Sequence, residues 1–257
     1  MDRLPGRIVI VTAGGENPSV MIDALARRFS DIVVLQEPPE SKALFLRRRA
    51  RKLGWISALG QLATMVVSRF GKRFTRARAA EILSSYDAST ERAAGVRTIP
   101  IGSINTPEAL AVLQAEKPAV VFLISCRMLQ ATTLAAIACP VLNFHAGINP
   151  QYRGLMGGYW ARVMRDEDNF GATVHLVDAG VDTGAILYTK RLTPSKRDTI
   201  HTYPLLQTAG ATDIAVRAID DALAGRLAPV AAEGASRQWY HPPLWTWLWH
   251  GISRGIW

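Results

Sequence analysis

Short apolar runs alternate with helical stretches along most of this 257-residue chain. That order confines it to the α/β class, in which strands form a mostly parallel twisted sheet and helices cover both faces. Arg7–Thr12, Asp31–Leu35, Val96–Ile101, Ala119–Ile124 and Val141–His145 read as strands, and Ala172–Val177 and Ala185–Leu192 extend the sheet. After Gly14 and Gly15 a helix is expected to about Arg28, with Asn17 as its cap and Pro18 at its first position. Thr106 and Pro107 open another helix, to Glu116, and Asp198 caps a last long one toward Leu223. Hydrophobic residues make up 49% of the chain, with no linker rich in Pro, Gly or Ser. Residues 1–225 are therefore expected to form one domain, with a helical insertion at about 40–95, and residues 226–257 a Trp-rich extension. The start lacks the pattern of a secretory signal, and Cys126 and Cys139 lie in apolar contexts as reduced thiols. A cytoplasmic enzyme is the expectation.

One strand ends in polar chemistry. In Val141-Leu142-Asn143-Phe144-His145 the apolar residues are buried-strand residues, and Gly147 and Pro150 end the run. Side chains two apart on a strand share a face, which puts Asn143 and His145 together at the strand's carboxyl end. Open α/β sheets bind ligands in the crevice beyond that end. Downstream, Gly171-Ala172-Thr173-Val174-His175 leads to a loop containing Asp178 and Asp182. An amide donor, an imidazole that exchanges protons near neutral pH and a carboxylate to hold it suit acyl transfer to an amine. The five histidines and two cysteines show no metal-ligand spacing.

The ordered set Asn143-x-His145, Pro150-x-Tyr152-x-Gly154, Gly171-x-Thr173-x-His175 and Asp182-x-Gly184 resembles the folate-dependent formyltransferase family. That family includes glycinamide ribonucleotide transformylases, methionyl-tRNA formyltransferases and amino-sugar N-formyltransferases, and this chain is closest in style to the last. The resemblance is strongest over residues 118–192 and fades at 40–95 and 226–257. Gly147, Ile148 and Asn149 stand where the family often has Ser and Leu-Leu, and Ser125-Cys126 where Phe-Met is familiar.

The resemblance implies a Rossmann-like formyltransferase fold and 10-formyltetrahydrofolate as co-substrate, with no metal. It implies that Asn143 donates to the formyl oxygen as negative charge gathers there, that His145 relays a proton, and that Asp182 orients the imidazole or holds a water. Arg127, Met128 and Leu129, with Val177, Asp178, Gly180 and Asp182, would face the folate. Asp178 also suits a loop-capping role through local hydrogen bonds. His175 reads first as a hydrogen-bonded core histidine. Gly14, Gly15 and Asn17, at a strand-to-helix turn, are the first candidates to hold an acceptor phosphate. Tyr152 and Arg153 are further substrate candidates, and a solvated loop arginine is an equal reading of the second.

The insertion is the most unusual stretch. Residues 41–80 hold 11 of the 30 Lys/Arg and none of the 21 Asp/Glu, which accounts for the whole net charge of +9. Within it, 53–70 is almost wholly apolar, with Ser57, Gln61, Thr64 and Ser68 forming a narrow polar stripe at helical spacing. A helix apolar nearly all round must cover itself with the core, a second subunit or a lipid surface. Packing on the body or across a homodimer is the first expectation; contact with anionic membrane, or charge pairing with a phosphate-rich substrate or RNA, stay open. The tail carries Trp245, Trp247 and Trp249, which suits burial or an interface.

The family's branches differ in their accessories. About 32 residues follow Gly225, fewer than the C-terminal barrel of methionyl-tRNA formyltransferases would need, and glycinamide ribonucleotide transformylases would lack the basic insertion. The expected acceptor is therefore a small primary amine, a nucleotide-linked amino sugar, with purine-pathway phosphoribosylglycinamide as the alternative and nucleic acid not expected. A membrane-associated adaptor without turnover is the alternative of another kind.

Overall fold

The computed structural model describes residues 6–91 and 93–257. Its centre is a seven-stranded sheet in the order β3-β2-β1-β4-β5-β7-β8. Strands β1 (Ile8–Thr12), β2 (Ile32–Gln36), β3 (Arg97–Pro100), β4 (Val120–Leu123) and β5 (Val141–His145) run parallel. Strands β7 (Gly171–Leu176) and β8 (Ile186–Arg191) add an antiparallel edge. Both faces of the parallel part are buried: Ile8 and Ile10 join one core cluster and Val9 and Val11 the other. Continuous apolar strands are what a sheet covered on both faces requires.

The first cluster is covered by α1 (Glu16–Arg28) and α9 (Thr212–Leu223); on the other face Leu113 of α5 (Pro107–Ala115) and Leu134 of α6 (Ala131–Ala135) pack on the second. Thr106 caps α5, its hydroxyl accepting from the Ala109 N–H at 3.3 Å, as its sequence position predicts. Two expectations are corrected. Helix α1 starts at Glu16 with Gly15 at its cap, so Asn17 and Pro18 lie inside the first turn, where the missing Pro N–H has no helical partner to lose. The last long helix is two, α8 (Tyr203–Gly210) and α9, broken at Gly210-Ala211. Asp198 precedes them and accepts from Arg78, the Ser195 N–H and the Thr202 hydroxyl.

The insertion folds as α2 (Lys42–Leu53), α3 (Trp55–Gly71), a short 3-10 turn at Lys72–Thr75 and α4 (Arg76–Ser85). It packs at the amino end of α1, where Lys72 pairs with Glu16 at 2.8 Å, and on His201, whose Nε2 lies 2.6 Å from the Ser68 carbonyl oxygen. A third cluster joins Ile82 of α4 and Tyr159 of α7 (Gly157–Val163) to Leu206 of α8 and Trp247 of the tail. The tail adds β9 (Gln238–Trp239), paired with β6 (Arg153–Gly154), and α10 (Leu244–Arg254), which docks on α3. The tail thus packs over another element, and of the three tryptophans expected to suit burial or an interface Trp247 is buried while Trp245 and Trp249 of the same helix are exposed. No described helix is long and apolar enough to cross a membrane.

Candidate active site

Strand β5 ends on the polar pair, and β7 runs against it in a fixed register. Asn143 lies opposite His175 and His145 opposite Thr173. The loop after β7 then brings Asp182 back over the same face. Asp178 shapes that loop, accepting from the Gly180 N–H at 3.0 Å and the Thr183 hydroxyl at 2.6 Å. Asp182 has φ 51°, a left-handed conformation that Asp tolerates better than most residues.

Three side chains converge on the Asp182 carboxylate. Asn143 Nδ2 donates to one oxygen at 3.1 Å, and His175 Nε2 lies 3.3 Å from that oxygen. His145 Nδ1 lies 3.5 Å from the other, which also accepts the Gly154 N–H at 2.9 Å. Burial pushes the Asp182 carboxyl upward. With both imidazoles protonated, the charges of His145 and His175, a hydrogen bond from His175 and the Gly154 N–H together outweigh it and hold the group well below the usual carboxylate range.

The outer nitrogen of each ring is committed to the backbone. His175 Nδ1 is 2.7 Å from the Leu176 carbonyl oxygen and His145 Nε2 is 2.7 Å from that of Tyr152. A carbonyl only accepts, so both of these nitrogens carry protons. A neutral His175 thus presents a bare Nε2, which accepts from Asn143 Nδ2 at 3.0 Å. Both N–H bonds of the Asn143 amide are then spoken for, one on His175 and one on Asp182. The sequence predicted an Asn143 N–H aimed at substrate; here it is held in reserve by two neighbours.

His145 owes its seat to Gly147. A Cβ there would stand 2.4 Å from His145 Nε2 and 2.5 Å from the Tyr152 carbonyl oxygen. Thr173 fixes the same loop, donating to the Gly147 carbonyl oxygen at 2.8 Å and accepting from the Asn149 N–H at 3.2 Å.

The other predicted positions are distributed unevenly. Tyr152 turns its hydroxyl to Asp166 (2.7 Å) and stacks on Trp239, so it enters the site through its carbonyl. Arg153 donates to the Val181 carbonyl oxygen at 2.7 Å and to Ser236 at 2.9 Å; it braces the Asp182 loop, in place of the free loop arginine that sequence left open. Arg127 is likewise engaged, donating to the carbonyl oxygens of Gly102 and Pro38. Met128 is exposed at the end of β4, and Leu129 packs with Val177 under it. Gly14, Gly15 and Asn17 lie at the β1–α1 turn, where Gly14 N–H donates to Thr12. Burial, with the charge of Glu37 second, pushes the Cys126 thiol up to about 12, which keeps it protonated at neutral pH. Sequence reasoning read His175 as a hydrogen-bonded core histidine without its partners, and passed over the Tyr152 carbonyl and the Gly154 N–H. The Thr-x-His spacing on β7 was the one available signal for His175. Among the described residues no group of His, Cys, Asp and Glu could hold a metal ion.

A cavity of about 270 Å³ lies between the insertion and the body. Lys42, Leu62, Met65 and Arg69 line one side, and Met156, Ile200, His201 and His241 the other.

The fold is α/β, and the amide–imidazole–carboxylate cluster lies at a strand's carboxyl end, where open sheets of this kind bind ligands. The chain belongs to the formyl transferase family, whose model matches residues 63–210. It is similar to the methionyl-tRNA formyltransferase of Synechococcus sp. (strain JA-2-3B'a(2-13)), with 31% identity over 147 residues, 56% of this chain and 45% of that one. The matched stretch thus spans less than half of that relative's length. Among solved structures, glycinamide ribonucleotide transformylase 1 from Symbiobacterium toebii superposes with a TM-score of 0.57 at 21% identity, over 91% of this chain and 92% of that one. A sugar N-formyltransferase from Shewanella sp FDAARGOS_354 gives 0.54 at 14%, over 90% and 76%. At these identities the two structures establish the shared fold.

Proposed function

We propose that this chain transfers a formyl group from 10-formyltetrahydrofolate to the primary amine of a small, phosphate-bearing acceptor, a nucleotide-linked amino sugar. The observation that carries the reaction class is the convergence of Asn143, His145 and His175 on the Asp182 carboxylate. In the reaction a new bond forms between the amine nitrogen and the formyl carbon, and the bond from that carbon to the folate nitrogen breaks. The amine proton leaves to the imidazoles facing Asp182, and the folate nitrogen gains one in return. Asn143 serves the oxyanion once one of its N–H bonds is released. A proton on His175 Nε2 does this directly, because the ring then donates to Asp182 and no longer accepts from Asn143. Negative charge on Asp182 offsets the positive charge formed on the imidazoles.

Met128, Leu129 and Val177, with the loop from Asp178 through Gly180 to Asp182, form the folate side in this reading. The acceptor side is the cavity beyond Met156, two residues after Gly154. Lys42 and Arg69 on its wall suit an acceptor phosphate, with Gly14, Gly15 and Asn17 as a second phosphate candidate. Two fold relatives carry names that point to a ribonucleotide and to a sugar as acceptor. The test is tetrahydrofolate formation, followed by absorbance, with a panel of nucleotide amino sugars and with glycinamide ribonucleotide. Turnover with an amino sugar that Arg69→Ala weakens through KM supports the reading. Turnover with glycinamide ribonucleotide alone replaces the acceptor, and no turnover with any amine overturns the reaction.

A further inference from the structure

Helix α3 is built inside out. Its small and polar residues face the body: Ala58, Gly60, Gln61, Thr64 and Ser68 are buried, and the Thr64 hydroxyl donates to the Pro242 carbonyl oxygen at 2.8 Å. Most of its large apolar residues face solvent, Leu62 and Met65 on the cavity wall apart. Trp55, Ile56, Leu59, Val66, Val67 and Phe70 are exposed, Ile56 at 77% and Phe70 at 72%, and Phe74 continues the line at 76%. They recur at three and four residues, which makes one helical stripe.

Helix α10 repeats the pattern beside it. Trp245, Leu248, Trp249 and Ile252 are exposed, while Trp247, His250 and Gly251 are buried. The two helices pack closely enough that a Cβ on Gly60 would stand 2.5 Å from the Trp245 ring. Two outward apolar stripes thus lie side by side. A patch of this kind marks an interaction surface, since isolated exposed apolar residues are ordinary but contiguous ones are not.

Charge selects the occupant. Residues 41–80 carry 11 Lys/Arg and no acid. Arg47, Arg51, Arg73 and Arg76 are exposed and have no ion pair among the described residues. A second copy laid face to face would set this charge against itself. An RNA would pair with the arginines and leave the apolar stripes wet. An anionic bilayer satisfies both features, taking tryptophan and aliphatic side chains into its interfacial zone and arginines against its phosphates.

We infer that the α3–α10 face docks on an anionic lipid surface, with the two apolar stripes at the headgroup–acyl boundary. The contact is peripheral, since no described helix could span the bilayer. It stands independently of the formyl-transfer reading, because lipid binding requires no turnover.

The experiment is flotation of the full chain with phosphatidylcholine vesicles, with and without phosphatidylglycerol as about one-third of the lipid, at low and high salt. Binding to the anionic vesicles at least about tenfold above neutral ones, weakened by salt and accompanied by a blue shift of tryptophan emission, is the expected result. The double variant Phe70→Ser, Ile252→Ser should lose most of that binding while keeping its circular dichroism and unfolding midpoint, since both side chains are exposed. Absence of binding to anionic vesicles at low salt overturns the inference. So does a dimer in sedimentation that the double variant splits into monomers, or a preference for structured RNA over the anionic vesicles.

Discussion

His175 lies directly across the sheet from Asn143, with its Nε2 3.0 Å from the Asn143 amide nitrogen and 3.3 Å from Asp182. The ring therefore decides where the Asn143 N–H bonds point. His175→Ala removes this positioning and leaves Asn143 with one partner. The expected outcome is a fall in kcat of about tenfold or more with little change in KM for the folate, since the lost interaction shapes the transition state more than binding. Steady-state kinetics check it; a pure KM effect would refute the positioning role. His175→Gln, which can still accept near Asn143, should recover part of the loss.

Gly147 leaves the space that His145 fills. In Gly147→Ala the added Cβ stands 2.4 Å from His145 Nε2 in the present geometry, so the ring must move and its 2.7 Å bond to Tyr152 must break. The variant is expected to lose about 1–3 kcal/mol of stability by overpacking. Its turnover should fall, because the outer ring nitrogen loses the carbonyl that fixes its proton. Denaturant melts and steady-state kinetics measure both effects.

Acid should weaken the site through Asp182. Its folded pKa is held below the unfolded value, so the carboxylate contributes stability that is fully present above about pH 4 and is lost as pH falls through that unfolded value and below. Asp182→Asn removes this contribution, and its stability curve should be flatter than the wild type's on the acid side. Chemical denaturation between about pH 3 and pH 7 tests the sign. In the same variant, turnover is expected to drop by about 100-fold or more, since an amide cannot balance two imidazoles.

The docking of α10 on α3 depends on Gly60. Gly60→Ala places a methyl 2.5 Å and 2.7 Å from atoms of the Trp245 ring and 3.0 Å from Pro243. The helices must part, which should cost about 1–3 kcal/mol and open the tail to proteolysis. Limited digestion is expected to cut the variant near residues 232–243 well before the wild type. Equal digestion rates would show that the contact is dispensable.

The strands were legible because each central one is a mainly apolar run bounded by turn residues; β5 was read to the residue. Asn143 and His145 were legible from the two-residue period, and both do reach Asp182. His175 was readable as a hydrogen-bonded histidine, but its partner depended on the β5–β7 register, which no local pattern encodes. The Tyr152 carbonyl and the Gly154 N–H are backbone groups, which the sequence does not distinguish. Helix α3 shows the sharper limit. Its two faces were plain in the sequence, yet burial of the polar face at Gly60 and Thr64 follows from close contacts with the tail.

The most direct test of the account is the rate of tetrahydrofolate formation by wild type, Asn143→Ala and His145→Ala, with the best acceptor from the panel and folding verified by circular dichroism. The account predicts wild-type turnover and a loss of about 100-fold or more in each variant at unchanged fold. Wild-type turnover that survives either substitution would contradict it.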